Sequence, residues 1–183
     1  MKFLALASML LFLSACSTIV TTDYNQYVSN NQGITYPSVD YAAQYSMTPA
    51  TKDHSYKFSS AMGGWGNKWV IKFGDILDST MKSQDVQKSF KGLSEGTAGA
   101  HTIVFNLVDY KFADHHAQIK LNITAKNNGK EVVNKTYEAR GISQGGKMFW
   151  GGAYAMKNAV QQSSKDAVDQ ILRSFMADLK AAK

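Results

Sequence analysis

The chain has 183 residues, of which 20 are Lys or Arg and 14 are Asp or Glu, a formal net charge of +6. Hydrophobic residues make up 44% and charged residues only 19%, which excludes a disordered polyelectrolyte and leaves enough apolar material for one packed core. The positive excess is scattered without a run of Lys or Arg and without a nucleic-acid-binding motif, so it excludes DNA or RNA as partner and favours anionic surfaces such as phospholipid or lipopolysaccharide headgroups.

At the N-terminus Lys2 precedes an apolar run from Phe3 to Leu13, broken only by Ser8, and the small residues Ser14 and Ala15 follow. A helix crossing ~30 Å of hydrocarbon needs about 20 apolar residues, so a run about half that long with a small-residue exit reads as a secretory signal over residues 1–15. The quartet Leu13-Ser14-Ala15-Cys16 resembles the lipobox of bacterial lipoproteins, in which the cysteine is acylated and becomes the new N-terminus. That resemblance implies a stable lipid anchor at Cys16. Because Ser17 rather than Asp follows, it also implies sorting to the outer membrane with the domain facing the periplasm. Cys16 is the single cysteine, so the exported fold has no disulfide and rests on packing.

Residues 16–50 are Thr-, Ser-, Asn- and Gln-rich, nearly uncharged, and contain Pro37 and Pro49 without a sustained hydrophobic period. They read as a flexible tether able to hold the domain clear of a bilayer. Its five tyrosines, Tyr24, Tyr27, Tyr36, Tyr41 and Tyr45, exceed what a solvated linker carries and belong on the domain or at a lipid interface. A single domain over residues 51–183 is then expected. Tyr56 and Phe58 alternate with polar residues in a first strand over 54–59, which stops at Gly63-Gly64-Trp65-Gly66. Trp69, Val70, Phe73, Ile76, Leu77 and Met81 share one face of an amphipathic helix, with Lys68, Lys72, Asp75, Asp78 and Lys82 opposite. Residues 83–100, with Gly92, Gly96 and Gly99, read as a connection.

Strands are predicted over His101–Ala113, Ala117–Lys126 and Glu131–Gly141. The middle one alternates cleanly, with Ile119, Leu121, Ile123 and Ala125 on one face and Lys120, Asn122 and Thr124 on the other. Asp114-His115-His116 and Asn127-Asn128-Gly129-Lys130 supply the turns, so the three form an antiparallel meander. A glycine-rich loop over 141–152 leads into a helix of about 28 residues ending at Ala181, with an apolar stripe of Met156, Val160, Ala167, Val168, Ile171, Leu172, Phe175 and Leu179. The order β-α-β-β-β-α predicts an α+β two-layer sandwich, with both helices packed on one face of the sheet.

Right-handed crossover geometry places the Gly-Trp loop at 63–69, the Asp114-His115-His116 turn and the 141–152 loop on one rim, opposite the Asn-Asn-Gly turn. The candidate ligand- or partner-binding residues on this rim are Trp65, Trp69, His115, His116, Lys147, Phe149, Trp150 and Tyr154. Aromatic anchors beside helix N-termini suit a phosphate-bearing lipid, a glycan or a protein partner. The bland alternative is that the glycines are strand-to-helix joints and that Trp69 and Trp150 cap the core. Two adjacent histidines in one turn make a poor metal site, so no metal or other cofactor is expected. Catalysis is not expected either. No Ser lies in a Gly-x-Ser-x-Gly elbow, the one Cys belongs to the lipobox, and Asp75 with Asp78 falls on the wet helix face.

The meander with its Asn-Gly-Lys hairpin, the stretch Lys135-Thr136-Tyr137-Glu138-Ala139-Arg140, and a long helix passing through Asp166-Ala167-Val168 are similar to the YajG-like and ABC-type transport auxiliary lipoproteins. The resemblance spans about residues 54–181, and architecture of this kind is an analogy only. It implies a non-enzymatic outer-membrane lipoprotein that assists lipid or lipopolysaccharide transport or assembly. Two alternatives from other classes stand beside it: a tethered protein-interaction module regulating a periplasmic complex such as peptidoglycan synthesis, and a structural envelope lipoprotein without ligand.

Overall fold

In the computed structural model the described residues are 19–20, 33–59, 68–150 and 152–182. Nine residues, Val39–Met47, form an interior strand, although this segment carries the composition of a tether. With β1 at Ile19–Val20 preceding it, this is β2, and it pairs in parallel with β5 (Phe90–Glu95) on one side and β6 (His101–Ala113) on the other. The expectation of a flexible tether to residue 50 is therefore corrected for residues 33–50. A bulge between Val39 and Ala42 breaks the two-residue alternation and hides the strand, yet Val39, Ala43 and Tyr45 are buried.

Antiparallel pairing continues from β6 to β7 (His116–Asn127) and β8 (Lys130–Arg140), giving a five-stranded mixed sheet of order β5-β2-β6-β7-β8. The meander thus lies where the alternation puts it. Both of its turns use left-handed backbone, Asp114 and His115 at φ 51° and 64°, Asn128 and Gly129 at φ 49° and 81°. The first predicted strand is displaced. Ser55–Ser59 is β3, paired antiparallel with β4 (Lys68–Lys72), and β1 joins β4 in parallel, so these three make a separate small sheet.

Helix α1 (Pro49–Lys52) follows β2, with Pro49 at its start and the Thr48 hydroxyl accepting from Thr51 N. The amphipathic helix, α2, begins at Phe73 and ends at Met81 rather than starting at Trp69. Trp69 and Phe73 fall on the helical arc but are also spaced by two with the apolar Ile71, which lies off that arc, and the strand period wins where β3 offers a partner. Gly74 has its own reason: a Cβ there would stand 2.2 Å from the Lys52 carbonyl oxygen. The expected connection at 83–100 contains α3 (Gln84–Lys88), capped by Ser83, and then β5.

Because β5 and β6 flank β2 on opposite sides, residues 96–100 must cross over it. Such a step covers two strand spacings, ~10 Å, within reach of a five-residue link. Gln44, on the sheet face away from the helices, holds the crossing: its Oε1 accepts from Ala98 N and Gly99 N, each at 2.9 Å.

After α4 (Gly145–Trp150), the long helix α5 (Gly152–Ala181) lies over β7 and β8 beside α2. Val160, Val168, Ile171, Leu172, Phe175 and Leu179 are buried, and Phe175 meets Phe105 and Tyr137 edge-on. The α+β class, with α2 and α5 on one sheet face, is as predicted. Lys157, Gln161, Lys165 and Asp169, four apart and so in line, are also buried. Lys165 Nζ donates to Asp169 at 2.5 Å, and the Tyr36 hydroxyl donates to the same carboxylate at 2.7 Å. Burial raises the Asp169 pKa against the opposing pull of Lys165, and burial followed by the nearby Asp169 charge raises that of Tyr36.

Two consequences are measurable. A Cβ at Gly141 would lie 1.9 Å from the Ser163 carbonyl oxygen and 2.5 Å from its Oγ, whereas one at Gly146 meets nothing within 4 Å. Gly141→Ala should lower unfolding free energy in urea by roughly 2–4 kcal/mol, and Gly146→Ala should change it by less than about 1 kcal/mol. The second concerns His54, whose ring lies 5.5 Å from Tyr110 and 6.4 Å from Phe73 and whose Nε2 is buried without a hydrogen-bond partner. Burial lowers its pKa, with Asp109 pulling the other way. A depressed folded pKa gives stability that is complete above the ordinary value of 6.5 and is lost as pH falls through the folded value. Urea midpoints should therefore fall on acidification from about pH 7 to about pH 5, and His54→Phe should flatten that slope.

Candidate functional site

The meander delivers two chain segments to one end of the sheet. β6 rises to Ala113, β7 descends from His116, and β8 rises again to Arg140, so the 114–115 turn and the 141–144 segment meet there. Gln144 N donates to His115 O at 3.0 Å, and His116 Nδ1 lies 2.6 Å from Gly141 O, which requires the proton on Nδ1 because a carbonyl only accepts. Arg140 pairs with Asp114 at 3.6 Å. From the helix side, Ser163 Oγ accepts from Ala117 N at 2.9 Å, and Asp166 accepts from Ile142 N at 3.0 Å. Hydrogen bonds from three directions thus hold this rim.

The small sheet climbs toward the same end. Leu107 N donates to Thr51 Oγ1, the rings of His54 and Tyr56 meet Tyr110, and the Tyr56 hydroxyl donates to Phe112 O. Each step along 51–56 thus reaches further up β6. Ser59 and its partner Lys68 come next, level with the rim by strand rise. The Gly-Trp loop that they bracket, including Trp65, lies outside the described residues.

Among the described residues the exposed large hydrophobics are Trp150 (91% exposed), Ile142 (63%) and Val108 (55%), and the first two belong to the rim. Lys147, on α4 with Trp150, is exposed and donates to Gln162 Oε1. His115 and His116 are half-buried, and His116 serves as a tie to Gly141 O. Trp69 is corrected: it is 1% exposed in β4, stacked on Phe58 at 5.4 Å between centroids, so it belongs to the core. The side chains of Phe149 and Tyr154 fall outside the described part, though their backbones belong to α4 and α5. Sequence reading passed over Ile142, Arg140 and Ser163. The first two sit at the junction of a strand and a glycine loop, where exposure has no periodic signal.

The sheet face away from the helices adds a charged groove of about 270 Å³ below this rim. One cross-strand row is Lys111, Gln118 and Arg140, and the next is Asp109, Lys120 and Glu138, with Lys120 and Glu138 paired at 2.8 Å. The rim is therefore bordered by cations, and Asp114 beside them is engaged by Arg140. Among the described residues no three His, Cys, Asp or Glu side chains gather as a metal site would need, and no described helix is long and apolar enough to cross a membrane.

No family model and no curated protein sequence matches this chain. Among solved structures, the protein XCC0632 from Xanthomonas campestris, described by the DUF330 family model, is similar in fold with a TM-score of 0.54 at 12% identity. The match covers 81% of this chain and 91% of that one. The hypothetical protein CT253 from Chlamydia trachomatis aligns over 81% of this chain and 98% of its own, with a TM-score of 0.38 and 9% identity. The first likeness shows a shared fold.

The rim's rigidity can be tested at His116. His116→Ala should leave the sheet intact but speed amide hydrogen exchange at Gln144 and Gly145 severalfold, read by mass spectrometry, with Asn128 on the opposite turn unchanged.

Proposed function

We propose that this protein is a non-enzymatic accessory lipoprotein of the bacterial cell envelope, acylated at Cys16 and facing the periplasm from the outer membrane. Its rim takes part in the transport or assembly of envelope lipid or lipopolysaccharide. The observation that carries the reading is the rim itself: Trp150 and Ile142 stand exposed on a rigid frame bordered by Lys147, Arg140 and Lys111. Exposed apolar side chains beside cations match the chemistry of a phosphate-bearing amphiphile. The signal-like run over residues 3–13 and the lipobox-like quartet support the export and the anchor, and the excess of basic residues supports an anionic partner.

A protein partner from the envelope machinery is the second reading, favoured by the same exposed Trp150, since tryptophan is a frequent interface anchor. One experiment separates the two. With a photoreactive residue at Trp150 in whole cells and a control at Asn128, lipid captured from the Trp150 site alone is the expected result. A single envelope protein captured there would replace the lipid reading by the interaction module, and equal, diffuse labelling from both positions would remove the rim as a recognition surface.

A further inference from the structure

We infer that the rim rests on the bilayer that holds the anchor, so that the domain stands on that membrane with its Trp150 end down. This rests on the reading of Cys16 as acylated. Strand β1 pairs in parallel with β4, Ile19 opposite Trp69 and Val20 opposite Val70. Parallel pairing sets the start of β1 beside the Lys68 end of β4, which is the rim end of the small sheet. Cys16 precedes Ile19 by three residues. Even a fully extended link of that length spans at most about 11 Å, so acyl chains on Cys16 enter the bilayer close to the rim. The connection that governs reach is therefore residues 17–18 and not a segment running to residue 50.

The rim's chemistry fits a headgroup layer. Trp150 and Ile142 are the apolar side chains that can sink shallowly between headgroups. Lys147 is exposed beside them, and Arg140 and Lys111 border the rim on the sheet side. Asp114 is paired with Arg140, and Asp166, which accepts from the neutral Ile142 N and Gln170, keeps its charge; against these two carboxylates Lys111, Arg140 and Lys147 leave the rim with a small basic excess toward anionic lipid. Two apolar side chains bind a membrane weakly by themselves. The anchor supplies the affinity, and the rim sets the orientation.

The test uses the full lipidated chain in vesicles of phosphatidylethanolamine and phosphatidylglycerol. A single fluorophore is placed on Gly146→Cys at the rim, where an added side chain meets open space, or on exposed Lys130→Cys at the far end of the sheet. Headgroup-level nitroxide lipid should quench the Gly146 label severalfold more than the Lys130 label. Replacing Ile142 and Trp150 together by Ser should bring the two closer while the protein stays vesicle-bound. Equal quenching, or stronger quenching at Lys130, overturns the orientation. Incorporation of labelled palmitate, with Cys16→Ala as control, is measured on the same preparation. Its absence would overturn the anchor itself, and its presence with equal quenching would overturn the orientation alone.

Discussion

The structure depends on one close approach, that of the α5 backbone at Ser163 to the end of β8 at Gly141. With a Cβ at Gly141 fitting only 1.9 Å from the Ser163 carbonyl oxygen, the helix sits lower on the sheet than any side chain would allow. This lets Ser163 Oγ reach Ala117 N, so a hydroxyl from the middle of the helix satisfies a strand amide buried at the edge of the core. Everything below follows from that seat. Val168, Ile171, Leu172 and Phe175 drop into the sheet's apolar face, and Asp178 reaches Lys135 and Tyr137, whose hydrogen bonds hold its pKa below the usual carboxylate range. The rim follows too, since Ser163 and Asp166 of the helix, the 141–144 segment and the 114–115 turn are fixed against one another.

Polar groups inside the fold mark the places where the chain path is unusual. Asp169 is buried with Lys165 and Tyr36 around it, and Asp85 accepts from Gly33 N and Ile34 N at 2.8 and 3.1 Å. Together they fix the stem of β2 before it enters the sheet. Leaving a buried charge unpaired costs about 3–5 kcal/mol, so the pair specifies this entry even where its net contribution is small. Gln44 plays the corresponding part at the crossing of residues 96–100, where an amide oxygen receives two backbone donors that no strand could serve.

Strict periodicity separates what the sequence disclosed from what it hid. The meander was legible because Ile119, Leu121, Ile123 and Ala125 alternate without a break and Asn128-Gly129 demands a left-handed turn. The strand directions of the meander bring the His115 and Gly145 regions together, whereas the expected right-handed crossover from the 54–59 strand does not occur, because that strand pairs with β4 in the small sheet. β2 stayed hidden because its bulge and its small residues Ala42 and Ala43 suit a strand buried between two neighbours as well as they suit a linker. Trp69 was misplaced because residues spaced by two and by three or four coincide over four positions, and only pairing with β3 decides between them. At the site, aromatic type was legible but exposure was not. Trp69 and Trp150 look alike in sequence and end at 1% and 91% exposed.

The proposed role needs no cleft. An end carrying two exposed apolar side chains and a border of cations is suited to work at a charged surface, with the polar Asn and Thr ladder of the open sheet face left to solvent. The most direct measurement is hydrogen exchange of the lipidated chain, compared between detergent and vesicles of native envelope lipid. Protection on the vesicles confined to residues 114–116 and 141–150, with the 127–130 turn unaffected, is the result this account predicts. Protection at the 127–130 turn, or no difference anywhere, would contradict it.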